Sequence, residues 1–129
     1  MDYVELTPSG LEANLILSSR VIKAPVYTAD GHLAGHVDDI SIERVSGQSV
    51  YAIIASGGFL HIGEKFHPLP WSMLRYDTFA QGFVLPLRSD ELQSAPHYTR
   101  KEMAELGGAR HHERDAALAD YYAGFGLFH

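Results

Sequence analysis

The segment Val50-Tyr51-Ala52-Ile53-Ile54-Ala55 constrains this chain more than any other. It is apolar at every position, and turn residues bound it on both sides, Ser46-Gly47-Gln48 before it and Gly57-Gly58 after it. Its length falls well short of the roughly 20 residues a helix needs to span a bilayer, so it reads as a strand. A strand with one wet face alternates apolar and polar residues. One that is apolar throughout lies at the centre of a sheet or has its second face covered. Val50–Ala55 is therefore the most buried strand, and a chain of 129 residues has room for one domain around it.

The surrounding sequence supplies short strands. Val26-Tyr27-Thr28, the turn Ala29-Asp30-Gly31-His32 and the run from Leu33 read as a hairpin, because Asp-Gly tolerates the positive φ a tight turn needs. Ile40 and Ile42 alternate with Ser41 and Glu43, but Val37 is out of phase, which predicts a bulge at Asp38 and Asp39. Lys65-Phe66-His67-Pro68-Leu69 is a further strand that Pro68 confines to an edge or an end. Pro70 to Leu74 reads as one helical turn, followed by the short strands Arg75–Asp77 and Gly82–Leu87. About six strands at this spacing predict an all-β fold, a small closed barrel. Its core is expected to include Val50, Ala52, Ile54, Phe66, Trp71 and Val84.

Short helices should follow the barrel. Ser89-Asp90-Glu91-Leu92 places acids at a helix start, and Pro96 ends it. Thr99-Arg100-Lys101-Glu102 has capping-box spacing and opens a helix that Gly107-Gly108 should close. A third helix is expected from Ala109 to about Tyr122.

Charge and composition exclude several classes of function. Ten Lys and Arg against sixteen Asp and Glu give a net charge of −6, which offers no attraction to a phosphate backbone, so no nucleic-acid partner is expected. Without cysteine there is no disulfide framework, thiolate metal site or cysteine nucleophile. Met1–Leu17 carries Asp2 and Glu5 where an export signal needs positive charge, and no run is long enough for membrane insertion, so the cytoplasm is the expected location.

The histidines and acids do not assemble a reaction. His32 and His36 lie roughly 13 Å apart if the segment is a strand, too far to share an ion. His61, Glu64 and His67 mimic a helical cluster, but Gly63 and Pro68 oppose a helix there. His111 and Asp115 share a helix face with too few ligands for a firm site, and His112 points elsewhere. Gly58-x-x-x-x-Gly63-Glu64-Lys65 lacks the Lys-Ser/Thr pair of a phosphate loop. Adjacent carboxylates at Asp38-Asp39 point apart on a strand, Asp90-Glu91 suits a helix start, and Ser56 has no Gly-x-Ser-x-Gly elbow. No catalytic residue, metal ligand or cofactor is assigned. A metal-dependent enzyme built on a histidine and carboxylate cluster is the alternative to a binding protein.

Two stretches resemble a known family. Val26 to Ile40, with its strand, Asp30-Gly31 turn, Gly35 and Asp38-Asp39 pair, is similar to the opening of a PRC-barrel domain. Tyr51 to Leu74, where Gly57-Gly58-Phe59-Leu60 and Pro70-Trp71 recur together, resembles that family more specifically, with a departure at His61 where a small residue is usual. Tyr76-Asp77, Gly82-Phe83 and Leu92 to Pro96 resemble small stand-alone bacterial members. The resemblance covers Leu15 to Tyr98 and implies an SH3-like β-barrel of the kind found in the photosynthetic reaction centre H subunit and in a ribosome maturation factor. Both relatives assemble with larger machines, and the resemblance brings no catalytic residues. It divides the chain into an N-terminal extension at 1–14, the barrel at 15–98 and a helical, aromatic-rich tail at 99–129.

That implied role directs attention to apolar residues with no obvious cover. Phe59, Leu60 and Ile62, on a loop bounded by Gly57 and Gly58, together with Trp71, are the expected partner-binding residues. A homodimer through this loop and its neighbouring strand would supply the cover, since two-fold dimers are the commonest oligomers. Tyr121, Tyr122, Phe125 and Phe128 in the tail pose the same choice of cover, with docking on the parent barrel expected and a place in the dimer interface the alternative.

Overall fold

The computed structural model describes residues 15–57, 63–104 and 111–125, with side chains from Asp115 onward in the last stretch. The N-terminal extension, the loop residues Gly58, Phe59, Leu60, His61 and Ile62, the Gly107-Gly108 pair and Phe128 lie outside the described residues.

After a helical turn, α1 (Ser18–Val21), come β1 (Pro25–Tyr27), β2 (Leu33–Ile42), β3 (Ser49–Ser56) and β4 (Lys65–Pro70). A 3-10 turn at Trp71–Met73 leads to β5 (Arg75–Asp77) and β6 (Gly82–Val84), then to α2 (Ser89–Ser94), α3 (Arg100–Met103) and α4 (His111–Ala123). The strands form one six-stranded sheet in the order β4-β3-β2-β1-β6-β5, antiparallel except where β1 runs parallel to β6. Among the described residues, no helix is long and apolar enough to cross a membrane.

The first hairpin forms as expected, with a difference in its turn. Gly31 alone takes a positive φ, +87°, and the Thr28 backbone N–H donates to the His32 carbonyl across the loop. The predicted bulge is present: Val37 pairs with Ile54 and Asp39 with Ile53, so Asp38 is the extra residue. It brings Val37 into the core while leaving Ile40 partly buried.

The closed barrel expected from strand count is not found. The sheet has two free ends, β4 and β5, and a physical reason lies in β4. Phe66 exchanges both backbone hydrogen bonds with Tyr98, which fixes Phe66 as an outward-pointing ladder position. By strand alternation Pro68 and Pro70 are the next outward positions, and neither has an N–H to donate. The ladder therefore stops at this edge.

Tyr51 to Ala55 of β3 are all buried. One face carries Ala52 and Ile54, opposite Leu69 and His67 of β4. The other carries Tyr51 and Ile53, and the chain's own helices cover it. The Tyr51 hydroxyl donates to the Asp115 carboxylate of α4, while Ile53 shares a cleft with Met103 of α3. Asp115, Leu118, Tyr121 and Tyr122 follow the three-, four- and seven-residue spacing of one helix face, and Phe125 follows just beyond the helix end. Leu118 and Tyr122 are fully buried and belong to the same core as the sheet. The Tyr121 hydroxyl also donates to the Glu91 carbonyl, 2.6 Å away. The described part of the tail thus docks on its own sheet.

Three core assignments need adjustment. Ala52, Ile54 and Phe66 are buried, but Val50 is 37% exposed because β3 has run past its cover at that end. Trp71 and Val84 are partly buried, with Trp71 packed edge-on to Phe83 at 6.0 Å between ring centres.

Close approach of β2 to β3 requires a glycine at position 35, since any Cβ there would run into the Ala55 carbonyl oxygen. Gly35→Ala should cost about 3 kcal/mol, the upper range for overpacking, because both strands would have to separate. Chemical denaturation of the variant checks this, and a cost below about 1 kcal/mol would show that the strands adapt.

Candidate functional site

At one end of the sheet, β3 and β4 stop together, with Ser56 paired to Lys65. Gly57 and Gly63 just beyond them have φ of +67° and +80°, conformations glycine adopts without strain. Beside these two residues is a cavity of about 330 Å³, bordered by Leu33, Ser56, Lys65, His67, Leu92 and Gln93 among others. Leu33 is 65% exposed there, although it is the first residue of a core strand.

A carboxylate from the first hairpin holds one wall of the cavity. Asp30 Oδ1 accepts hydrogen bonds from the Thr28 hydroxyl, the Ser89 backbone N–H and the Ser89 hydroxyl, the latter two at 3.1 Å. The Thr28 bond contributes most to holding the Asp30 carboxyl below the usual carboxylate range. Asp30 is thus both a turn residue and the acceptor for the first N–H of α2. The Glu91 side chain accepts from the Arg88 backbone N–H at 2.8 Å, completing that helix start.

His67 forms the buried floor, only 1% exposed. A carbonyl can only accept, so Nδ1 of His67 donates to the Pro96 oxygen at 3.2 Å and the neutral ring carries its lone pair on Nε2. Burial pushes the imidazole down to about 4, with nearby His97 adding to the effect, and the ring is neutral at pH 7. The folded value lies below the ordinary 6.5, so the unfolded chain binds the extra proton as pH falls through this interval. Stability contributed by neutral His67 is complete above about 6.5 and declines towards pH 4, by on the order of 3 kcal/mol across the window. Urea denaturation at pH 7 and 4.5 should show this loss in the wild type and a smaller one in His67→Gln. Equal slopes would place His67 outside the acid response.

The residues expected to bind a partner do not all meet here. Gly57 borders the cavity, whereas Trp71 follows the opposite end of β4, about 16 Å away by strand rise. Gly58, Phe59, Leu60 and Ile62 fall in the segment outside the described residues. Trp71 and Tyr76 both pack against Phe83, so Trp71 belongs to the sheet's own packing.

A second surface was missed by the sequence reading. On the helix-covered side, a cleft of about 500 Å³ has apolar Ile42, Ile53, Phe66 and Met103 in its walls and Asp38, Asp39, Arg44 and Arg100 around them. Arg100 donates to Asp38 at 3.1 Å, and its guanidinium lies 4.5 Å from the Phe66 ring centre, so one side chain links bulge, strand and α3. Beyond this cleft the β2–β3 hairpin leaves Ile42, Val45 and Val50 uncovered, with Val45 94% exposed. The one available signal was Val45 in an otherwise polar turn.

The carboxylate pairs are accounted for structurally. Asp38 binds Arg100, Asp39 accepts from the Ile40 backbone N–H, and Asp90 binds Arg88. Among the described residues, no three His, Asp or Glu side chains lie close enough to hold a metal ion. His61 and the His111 and His112 side chains are outside that description.

No curated protein matches the chain. The sequence model of the PRC-barrel domain family matches residues 13–92, an interval that contains all six strands and the start of α2. That match spans more than half of the 129 residues and agrees with the β-rich sheet: the chain belongs to the PRC-barrel domain family.

Proposed function

We propose that this protein is a non-catalytic interaction and assembly module of PRC-barrel type that works in the cytoplasm and self-associates. The observation that carries this reading is the uncovered apolar trio Ile42, Val45 and Val50 beside a cleft floored by Ile53, Phe66 and Met103. Apolar side chains at a hairpin tip, rimmed by Arg44, Asp38 and Asp39, have the layout of a contact surface, an apolar centre with charged edges. Exposed Leu33 beside Gly57 and Gly63 supports a second contact through the loop Gly57, Gly58, Phe59, Leu60 and Ile62. The β4 edge favours side-chain contacts over strand addition, since its outward prolines cannot extend the ladder.

Light scattering at micromolar concentration tests self-association, with an expected mass near twice 14.3 kDa. Ile42→Asp with Val50→Asp disables the hairpin surface, and Phe59→Asp disables the loop. A charge buried unpaired in the interface should weaken association about 100-fold or more. The variant that becomes monomeric identifies the surface. A monomeric wild type whose cross-linked neighbours in the host are unchanged in both variants would overturn the reading.

A further inference from the structure

We infer that β5 is a self-recognition edge: it pairs antiparallel with β5 of a second copy about a two-fold axis at Tyr76, with Arg75 of each chain opposite Asp77 of the other. The inference rests on the self-association proposed above and names a contact between copies that the hairpin and loop surfaces do not include.

The sheet leaves one edge able to extend. β4 ends it on one side, closed by Tyr98 and two prolines, and β5 ends it on the other, where no described segment pairs with its outer side. The direction of the β5 backbone groups follows from β6. Leu85 donates its backbone N–H to the Tyr27 carbonyl of β1, and this direction alternates along a strand, so Phe83 also turns to β1 while Gly82 and Val84 turn to β5. Gly82 pairs with Asp77 and Val84 with Arg75, which leaves the N–H and carbonyl of Tyr76 facing outward. Antiparallel strands that meet at such residues exchange two hydrogen bonds there, and two copies of β5 related by a two-fold axis meet in this way at Tyr76.

Side chains make the match specific to a second copy. Tyr76 packs against Phe83 with ring centres 5.3 Å apart, so Arg75 and Asp77, its neighbours along the strand, share the opposite face of the sheet. In the two-fold register Arg75 meets Asp77 of the second copy and Asp77 meets its Arg75, giving two opposite-charge pairs on one face. Among the described residues neither has an ion pair within its own chain, and Asp77 spends only Oδ1, on the Phe79 backbone N–H at 2.9 Å. Charges on a short edge strand ordinarily deter pairing. A single sign would do so here, whereas the order Arg-Tyr-Asp attracts an antiparallel copy and repels a parallel one in register, a selectivity that bare backbone lacks. Continuing the register, Thr78 falls opposite Leu74 of the second copy. Phe79 lies one residue further, so its ring, 98% exposed in one chain, comes within reach of the turn that precedes β5.

Sedimentation equilibrium of the intact chain up to millimolar concentration, with circular dichroism to check folding, reads the pairing through an exchange of charges. Arg75→Asp and Asp77→Arg should each weaken self-association about tenfold or more, since two attractive pairs become two repulsive ones. An equimolar mixture of the two variants again sets opposite charges across the axis and should regain the wild-type strength, as should both substitutions in one chain. Amide exchange at Tyr76 should slow as the wild-type concentration rises, a measurement that stands even if a variant fails to fold. Single variants that associate as the wild type does, a mixture no stronger than its components, or Tyr76 exchange that ignores concentration would overturn the inference. Association lost in Ile42→Asp with Val50→Asp, or in Phe59→Asp, but unaffected at Arg75 and Asp77 would keep the self-association reading and overturn this edge. A chain monomeric throughout would overturn it too, and cross-linking then decides the assembly role separately.

Discussion

A strand that must be dry on both faces is the constraint on which the structure depends. Tyr51 to Ala55 are buried at five consecutive positions, and each Ile kept from water contributes about 1.5–3 kcal/mol only while something lies against it. The inner face shares one buried core with Val37 and Leu69, while the outer face is met by the C-terminal helices. Dependence runs both ways. A helix of 13 residues is marginal in water, so α4 owes its helicity to Leu118, Tyr122 and the Tyr51 to Asp115 bond. Burial and the neighbouring Asp115 carboxylate raise the Tyr51 phenol above its usual value, keeping it a donor at any ordinary pH. The apolar surface that invited a second subunit to cover β3 is thus largely satisfied within one chain.

What stays uncovered is then informative. The β4 edge is blocked by Tyr98 and two prolines, and the covered face of β3 is occupied. Four of the apolar residues still open lie at opposite ends of the β2–β3 pair, with Ile42, Val45 and Val50 at the hairpin tip and Leu33 at the loop end, while Leu15, Ile16, Leu17 and Phe79 are exposed elsewhere. Contacts at those ends would use side chains in clefts, which suits selective assembly better than pairing of bare backbone.

Polar groups tie the layers together at few points. Asp30 joins the first hairpin to α2, Arg100 joins the Asp38 bulge to α3 over Phe66, and His67 joins β4 to the segment after α2. Each spans a long sequence separation, so each restrains an element whose local sequence could not hold it alone. Tyr122 is the exception. Its hydroxyl is buried without a partner among the described residues, and burial raises its phenol as it does that of Tyr51.

The amino-acid sequence by itself determined the features that depend on neighbours along the chain. The bulge at Asp38 followed from the phase of Val37, the capping box from Thr99 and Glu102, the edge position of β4 from Pro68, and the buried status of β3 from its unbroken apolar run. Strand periodicity, caps and prolines act within a few residues, so they are readable locally. Whether the sheet closed was decided by tertiary structure, because it turned on Tyr98 taking the bonds of Phe66 from 32 residues away. The same holds for the role of Asp30 on Ser89, the neutral state of His67 and the exposure of Val50 at the end of a strand that looked wholly buried. Each of these depends on which distant groups exclude water or complete a hydrogen bond, and a side chain's apolar character states a need for cover without naming what provides it.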